Sequence, residues 1–331
     1  MLTDPASVLR LSATYRQFAE QEAAGRSPLY ATLCQGIAGD HTLLGQLTVL
    51  PLEKQQPNLL LAAVKYLFGA PCDWLQFREL VATHWVKILD VVSSHRTQTN
   101  EPARCATLLP LLALLPPPLA LLEVGASAGL CLLPDRYSYN YGGRCVPPSP
   151  PWSDVPVFHC SANAATPIPP KNLEIVWRAG LDISPLDVTN ANDRDWLRAL
   201  VWPEEGERDR LLDEALTIAS FDPPRVVRGD LRRDLRALAA EAPRKATLVI
   251  FHTAVLAYVR DIADRRAFAD TVKSLDAQWI SNESSDLFDQ PNLPPRPWGN
   301  FLLSLNGEGI AYADAHGTAI DWFGETATNI A

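Results

Sequence analysis

The sequence predicts an α/β fold: a doubly wound, mostly parallel sheet with an antiparallel edge, preceded by an all-helical amino-terminal domain. Three observations lead there. Residues 1 to about 115 carry apolar positions at spacings of three and four with little strand-like alternation. From Leu119 the chain changes to short apolar runs separated by helical patterns, which implies parallel strands joined by helices. After the fifth run, Asn306-Gly307 and His316-Gly317 punctuate FLLSLNGEGIAYADAHGTAIDWF as hairpin turns do.

The elements follow in order. Val8, Leu11, Tyr15, Phe18 and Ala19 place an amphipathic helix over residues 6–24, which Gly25 ends. Further helical runs cover about 28–38, 40–48, 57–69 and 74–92. LLPPPLA resets the chain, so the helical domain is set at 1–115 and the α/β domain at 116–331. The expected strands are LALLEV, EIVWRAGLD, RVVRGD, ATLVIF and AQWISNE, with helices over 193–202, 208–219 and 254–275. The proline-rich part of 134–172 reads as an ordered insertion, since Trp152, Val155, Val157 and Phe158 give it something to bury. Within it Tyr137, Tyr139 and Tyr141 recur with period two and project from one face, as packing or as a pocket lining.

Composition narrows the function. The chain has 331 residues, 47% hydrophobic, with 38 acidic against 29 basic side chains and a formal charge of -9. A surface of that sign repels phosphate backbones and anionic lipid, so nucleic acid and membrane partners are not expected. Six cysteines without a C-x-x-C pair read as reduced thiols of a cytoplasmic protein. Prolines interrupt the longest apolar stretch, near 108–122, and no leader is expected in MLTDPASVLRLS. Cys145, His159 and Cys160 lack the paired spacing of a metal site, and no phosphate loop of the G-x-x-x-x-G-K type occurs.

The most specific chemical signal is LLEVGASAGL at 121–130. The turn after the first strand of an open parallel sheet is where backbone amides face a ligand. A dinucleotide fingerprint needs G-x-G-x-x-G and an acid about 20 residues on. Here Gly125, Ser127 and Gly129 are spaced two and two, and no acid lies at that distance. The same residues also form G-A-S-A-G, the spacing of a hydrolase nucleophile elbow, for which Asp230 and His252 could be offered as partners of Ser127. A tight turn packed under a helix is the third option, as is a protein that binds a cofactor without catalysis.

EVGASAG resembles the first motif of class I methyltransferases that use S-adenosylmethionine, with Glu123, Gly125 and Gly129 matching and Ser127 in place of the middle glycine. RAGLDISPLDV resembles their second motif, which implies that Asp182 accepts hydrogen bonds from the cofactor's ribose; Asp230, ending the third strand, would lie near the adenine. The resemblance implies a Rossmann-like methyltransferase sheet, while the acidic charge and a pocket covered by the insertion point to a small-molecule acceptor. On that reading His252, at the end of the fourth strand, takes a proton from the acceptor, and Glu283, at the end of the fifth, orients a cationic one; the alternatives are a histidine that satisfies a backbone group at a strand end and a glutamate that solvates a loop, the reading favoured for Glu283. QTNEPARC gathers five polar groups, Gln98, Thr99, Asn100, Glu101 and Arg104, before an apolar helix that Thr99 or Asn100 could cap. That segment could fold over the cofactor, with Asn100 or Glu101 at its amino group. Over nearly its full length the chain is also similar to a bacterial family, the domain of unknown function 2332, through SPLY (27–30), QTNEPARC, LLEVGASAGL, DRYSY (135–139), LDISPLDV, VWPEEGERDRLLDEAL (201–216) and VIFHTAVLAYV (249–259).

Overall fold

The computed structural model describes residues 4–98, 100–287, 293–295 and 301–324. The chain forms two compact units, Met1–Thr99 with Asn190–Arg210, and Asn100–Thr189 with Leu211–Ala331.

The first unit is helical. Its helices are α1 (Pro5–Gln17), α2 (Pro28–Gly39), α3 (His41–Leu47), α4 (Pro57–Phe68) and α5 (Trp74–Ser94), with α7 (Ala191–Leu200) from later in the chain. Their starts are written in the sequence. Asp4, Ser27, Asp40 and Asp73 each accept backbone N–H bonds from the first helical turn, and Pro28 and Pro57 stand where a missing N–H costs nothing. Leu11, Tyr15, Leu33, Ile37, Phe77 and Ile88 are fully buried and form the core. The expected helix over 6–24 is an α-helix to Gln17 that widens into a π-turn over Phe18–Ala23.

The second unit holds a nine-stranded sheet. Five strands are parallel: β1 (Leu119–Val124), β6 (Ile175–Asp182), β7 (Val226–Arg228), β8 (Thr247–Thr253) and β9 (Gln278–Ser284), in the spatial order β7-β6-β1-β8-β9. In chain order these are third, second, first, fourth and fifth. Then β10 (Phe301–Leu305), β11 (Glu308–Ala313) and β12 (Ala319–Trp322) continue the sheet antiparallel, which is the expected edge, and the two-residue strand β5 (Ser161–Ala162) pairs parallel with β12. Asn306 and Gly307, at φ of 54° and 90°, make the two-residue hairpin that N-G signals.

The insertion is ordered, as expected. It contains a small sheet of β2 (Ser138–Tyr141), β3 (Arg144–Val146) and β4 (Val157–His159) in the order β3-β2-β4. Tyr137, Tyr139 and Tyr141 are all buried, and their hydroxyls donate to the carbonyls of Leu130, Pro134 and Ala106 at 2.9, 2.5 and 2.6 Å. Asp135 holds Arg178 of β6 in a two-pronged pair at 2.9 and 3.0 Å, clamping the insertion to the sheet.

The segment after β1 departs from expectation. It makes two 3-10 turns, Leu130–Leu132 and Pro134–Arg136, where the general strand-to-helix pattern of such a sheet would put an α-helix. Pro134 has no N–H to give and disfavours helical backbone at Leu133, which weighs against an α-helix running on from Leu130. The expected helix over 254–275 is likewise shortened to α10 (Ile262–Lys273), capped by Asp261.

Candidate functional site

Along a strand side chains alternate between faces, and laterally paired residues share one. Two faces of the parallel sheet can therefore be separated from the register. One presents Leu122, Val124, Ala179, Leu181, Ile250 and Trp279 to α10 and to α9 (Leu235–Ala239), in a cluster with Leu235, Leu238, Phe268 and Val272. The other presents Glu123, which pairs with Phe251 and Gly180; two residues further along the neighbouring strands stand Thr253 and Asp182, and beside Thr253 stands Asn282.

That second face is polar at the carboxyl ends of the strands, where the spatial order reverses between β1 and β8. In open parallel sheets this crevice is where ligands bind. The segment Asn100–Leu112 supplies further groups: η-turn Pro102–Arg104 and the wholly buried helix α6 (Cys105–Leu112). Arg104 donates from Nη1 to both the carbonyl and the hydroxyl of Thr253 at 3.2 Å, and from Nε to the carbonyl of Ala315 at 2.8 Å. Asn100 accepts the Leu130 N–H at 3.3 Å, and Glu101 meets Nδ1 of His316 at 3.2 Å.

Several buried atoms here have no hydrogen-bond partner among the described residues: Oε2 of Glu123, Oγ of Ser127, Nδ2 of Asn100, and both side-chain atoms of Asn282. Buried polar atoms are nearly always paired, so each of these needs a partner that the described residues do not supply. Burial pushes the Glu123 carboxyl well above its usual range, Cys131 and Asp182 add to that, and Arg104 opposes it.

The turn itself is shaped by packing. Gly125, Ser127 and Gly129 all take positive φ, of 74°, 52° and 75°. A Cβ on Gly125 would overlap the Val255 side chain, and one on Gly129 would stand 2.8 Å from Pro224. Asp182 fixes the turn from β6: its two oxygens accept the N–H groups of Ser127 and Ser184, each at 2.7 Å. Asp230 lies past β7, where ion pairing with Arg232 holds its carboxyl down at about 2.

His252 and Glu283 are not brought together with these groups. Both belong to the opposite face, at 0% and 1% side-chain exposure, and His252 packs edge-on against Phe268 of α10. Nδ1 of His252 meets Oε1 of Glu283 at 2.6 Å, and the indole N–H of Trp279 donates to Nε2 at 3.0 Å. Indole can only donate, so Nε2 accepts and the proton sits on Nδ1, toward Glu283. The Glu283 carboxylate also accepts the backbone N–H groups of Val255 and Leu256, at 2.9 and 3.2 Å. This pair holds the loop after β8 in place. Ser127 Oγ correspondingly has no histidine partner among the described residues, although its backbone has the positive φ of an elbow. The residues that reasoning from sequence missed are Thr253, Asn282 and Arg104 as site members; each neighbours a residue that was singled out or lies in a motif that was.

Fold and site define an α/β protein with a cluster of buried polar side chains at the switch point of a mostly parallel sheet. The chain belongs to a bacterial family: the model described as "Uncharacterized protein conserved in bacteria (DUF2332)" matches residues 12–322. No curated protein and no solved structure matches the chain. Among the described residues no helix is long and apolar enough to cross a membrane, and no group of three His, Cys, Asp or Glu could hold a metal ion.

Proposed function

We propose that the protein is an S-adenosylmethionine-dependent methyltransferase acting on a small molecule. The observation that carries this reading is the set of three acids, Glu123, Asp182 and Asp230, ending or following adjacent strands β1, β6 and β7 of a sheet whose parallel strands run in the order 3-2-1-4-5. That order is the one adopted by nucleotide-binding doubly wound sheets, with the ligand across the reversal point.

The residues present suit an adenosyl group with one difference. The unpartnered Oε2 of Glu123 and Nδ2 of Asn100 supply an acceptor and a donor beside the turn. Asp182 has one N–H on each oxygen, which leaves each oxygen a second lone pair for a ribose hydroxyl. The difference is the segment after β1, which makes two 3-10 turns in place of an α-helix, so that position contributes no helix dipole at the turn. When bound, the cofactor supplies a methyl group on a sulfonium for transfer. Asp182 would hold the ribose, Asn100 and Glu123 the amino-acid end, and Thr253 and Asn282 would border the acceptor.

Calorimetry of the dialysed full chain with S-adenosylmethionine and S-adenosylhomocysteine tests this. Saturable binding of both, weakened about tenfold or more in D182A by the loss of charge-assisted hydrogen bonds, is the expected result. Absence of binding to either removes the reading. Labelling of Ser127 by a fluorophosphonate would replace it with a serine hydrolase.

A further inference from the structure

We infer that Arg104 is the recognition residue for a carboxylate on the methyl acceptor, an inference that rests on the reading above for the word acceptor but not for the carboxylate. Arg104 is 4% exposed. Its hydrogen bonds go to neutral partners, the carbonyls of Ala315 and Thr253 and the Thr253 hydroxyl, and its guanidinium lies 5.4 Å from the ring centroid of Phe301. Among the described residues it makes no ion pair, and Nη2 makes no hydrogen bond. A guanidinium does not shed its proton, so burying one without a counter-charge is unfavourable unless an anion completes the site.

The acids nearby do not complete it. Glu101 is engaged with His316, and burial drives Glu123 toward its neutral form. Nε and Nη1 already donate to Ala315 and Thr253, so Nη2 is the free end among the described residues; arginine pairs with carboxylate and phosphate alike, and the single charge of a carboxylate is the one that one guanidinium balances. The same sheet face adds the unpartnered amide of Asn282, a residue with 0% exposure whose strand neighbour is Thr253, and the Phe301 ring two residues from its partner Leu303.

Position decides which carboxylate. Arg104 contacts β8, β10 and the turn before β12, while Asp182 and Asp230 belong to β6 and β7 on the other side of β1. An adenosyl group held by those two acids leaves the Arg104 side for the second substrate. The acceptor class is therefore a small carboxylic acid.

The test compares acid with amide on the full chain. Benzoate and succinate, each against benzamide and succinamide, are titrated with and without saturating S-adenosylhomocysteine while melting temperature and heat are recorded, for the parent, R104Q and R104K. An acid raises the melting temperature of the parent, its amide does not, R104Q loses the shift, and R104K, which keeps the charge but not the fork, weakens it by roughly tenfold. Equal behaviour of acids and amides in the parent, or an undiminished acid shift in R104Q, overturns the inference; if R104Q fails to fold, the parent comparison and R104K decide. A third arm separates the sources. R104Q that loses S-adenosylhomocysteine while keeping 5′-methylthioadenosine, which has no carboxylate, assigns Arg104 to the cofactor and overturns the acceptor assignment. Acids that bind through Arg104 in a chain that binds no adenosyl compound leave the carboxylate site standing and remove the methyltransferase reading.

Discussion

Replacing Gly125 with alanine separates two reasons for a glycine after β1: room for a ligand, or room for the protein itself. Its φ of +74° costs an alanine about 1–2 kcal/mol. The added Cβ would also overlap Cγ2 of Val255 and stand 2.9 Å from Cγ1. Val255 cannot simply withdraw, because its N–H is held at 2.9 Å by the buried Glu283 carboxylate. Overpacking of this kind costs about 1–3 kcal/mol, so G125A should lose about 2–5 kcal/mol in all. V255A removes the overlap and leaves the φ cost. In G125A/V255A about 1–3 kcal/mol should therefore return, as a coupling energy in a double-mutant cycle measured by urea unfolding. Strict additivity, or a G125A chain within about 0.5 kcal/mol of the parent, would refute the packing account.

Three further outcomes follow from the site and its supports. E283A strands the Nδ1–H of His252 and two backbone N–H groups in a buried place, and should destabilise by about 3–5 kcal/mol in chemical unfolding. Removing Arg178 as R178M leaves Asp135 buried with only the 3.5 Å contact of Arg136; a loss of about 3–5 kcal/mol is expected, and the D135N/R178M pair should recover part of it. For Glu123 the folded carboxyl binds its proton more tightly than the unfolded one, so its contribution is complete below the ordinary carboxylate range near 4.5 and is lost as pH rises above it, at about 1.4 kcal/mol per unit until the folded group ionises. E123Q should flatten that part of the stability-pH curve, and an unchanged slope as pH rises above the ordinary carboxylate range would show that Glu123 is not the group responsible.

What could be read from the chain depended on whether a pattern had a solvent side. The helical runs of the first unit and the N-G hairpin were legible because apolar spacing and positive φ demand particular residues, whereas the caps Asp4, Ser27, Asp40 and Asp73 were seen only in the structure. The order of strands was legible because apolar runs and helical periods alternate. The facing of β8 and β9 was not. Both are buried on both sides, so FHT and SNES carry no alternation of apolar and polar residues to say which side chain shares a face with Glu123. Chemical familiarity favoured His252 and Glu283 over Thr253 and Asn282, and one step along each strand is the whole difference. The arginine was in view within QTNEPARC, but that it makes no ion pair among the described residues is a three-dimensional fact.

The two faces are nevertheless coupled, and that bears on how mutants of this protein should be read. Glu283 holds the amides of Val255 and Leu256, Val255 fills the space above Gly125, and Gly125 leads into the turn whose Ser127 amide is held by Asp182. A substitution at His252 should therefore loosen the loop that packs over the Gly125 turn, although the imidazole faces the other side of the sheet. Loss of activity in H252A would look like loss of a general base. The distinction lies in the pH profile: a base that titrates leaves an acid limb on kcat/KM, which H252A abolishes, whereas a support leaves the limb where it was. The geometry requires the second result, with H252A lowering stability and ligand affinity together and E283A reproducing both effects. An acid limb that disappears in H252A while the melting temperature holds would return the histidine to the chemistry and show that the Trp279 bond to Nε2 opens in the working protein.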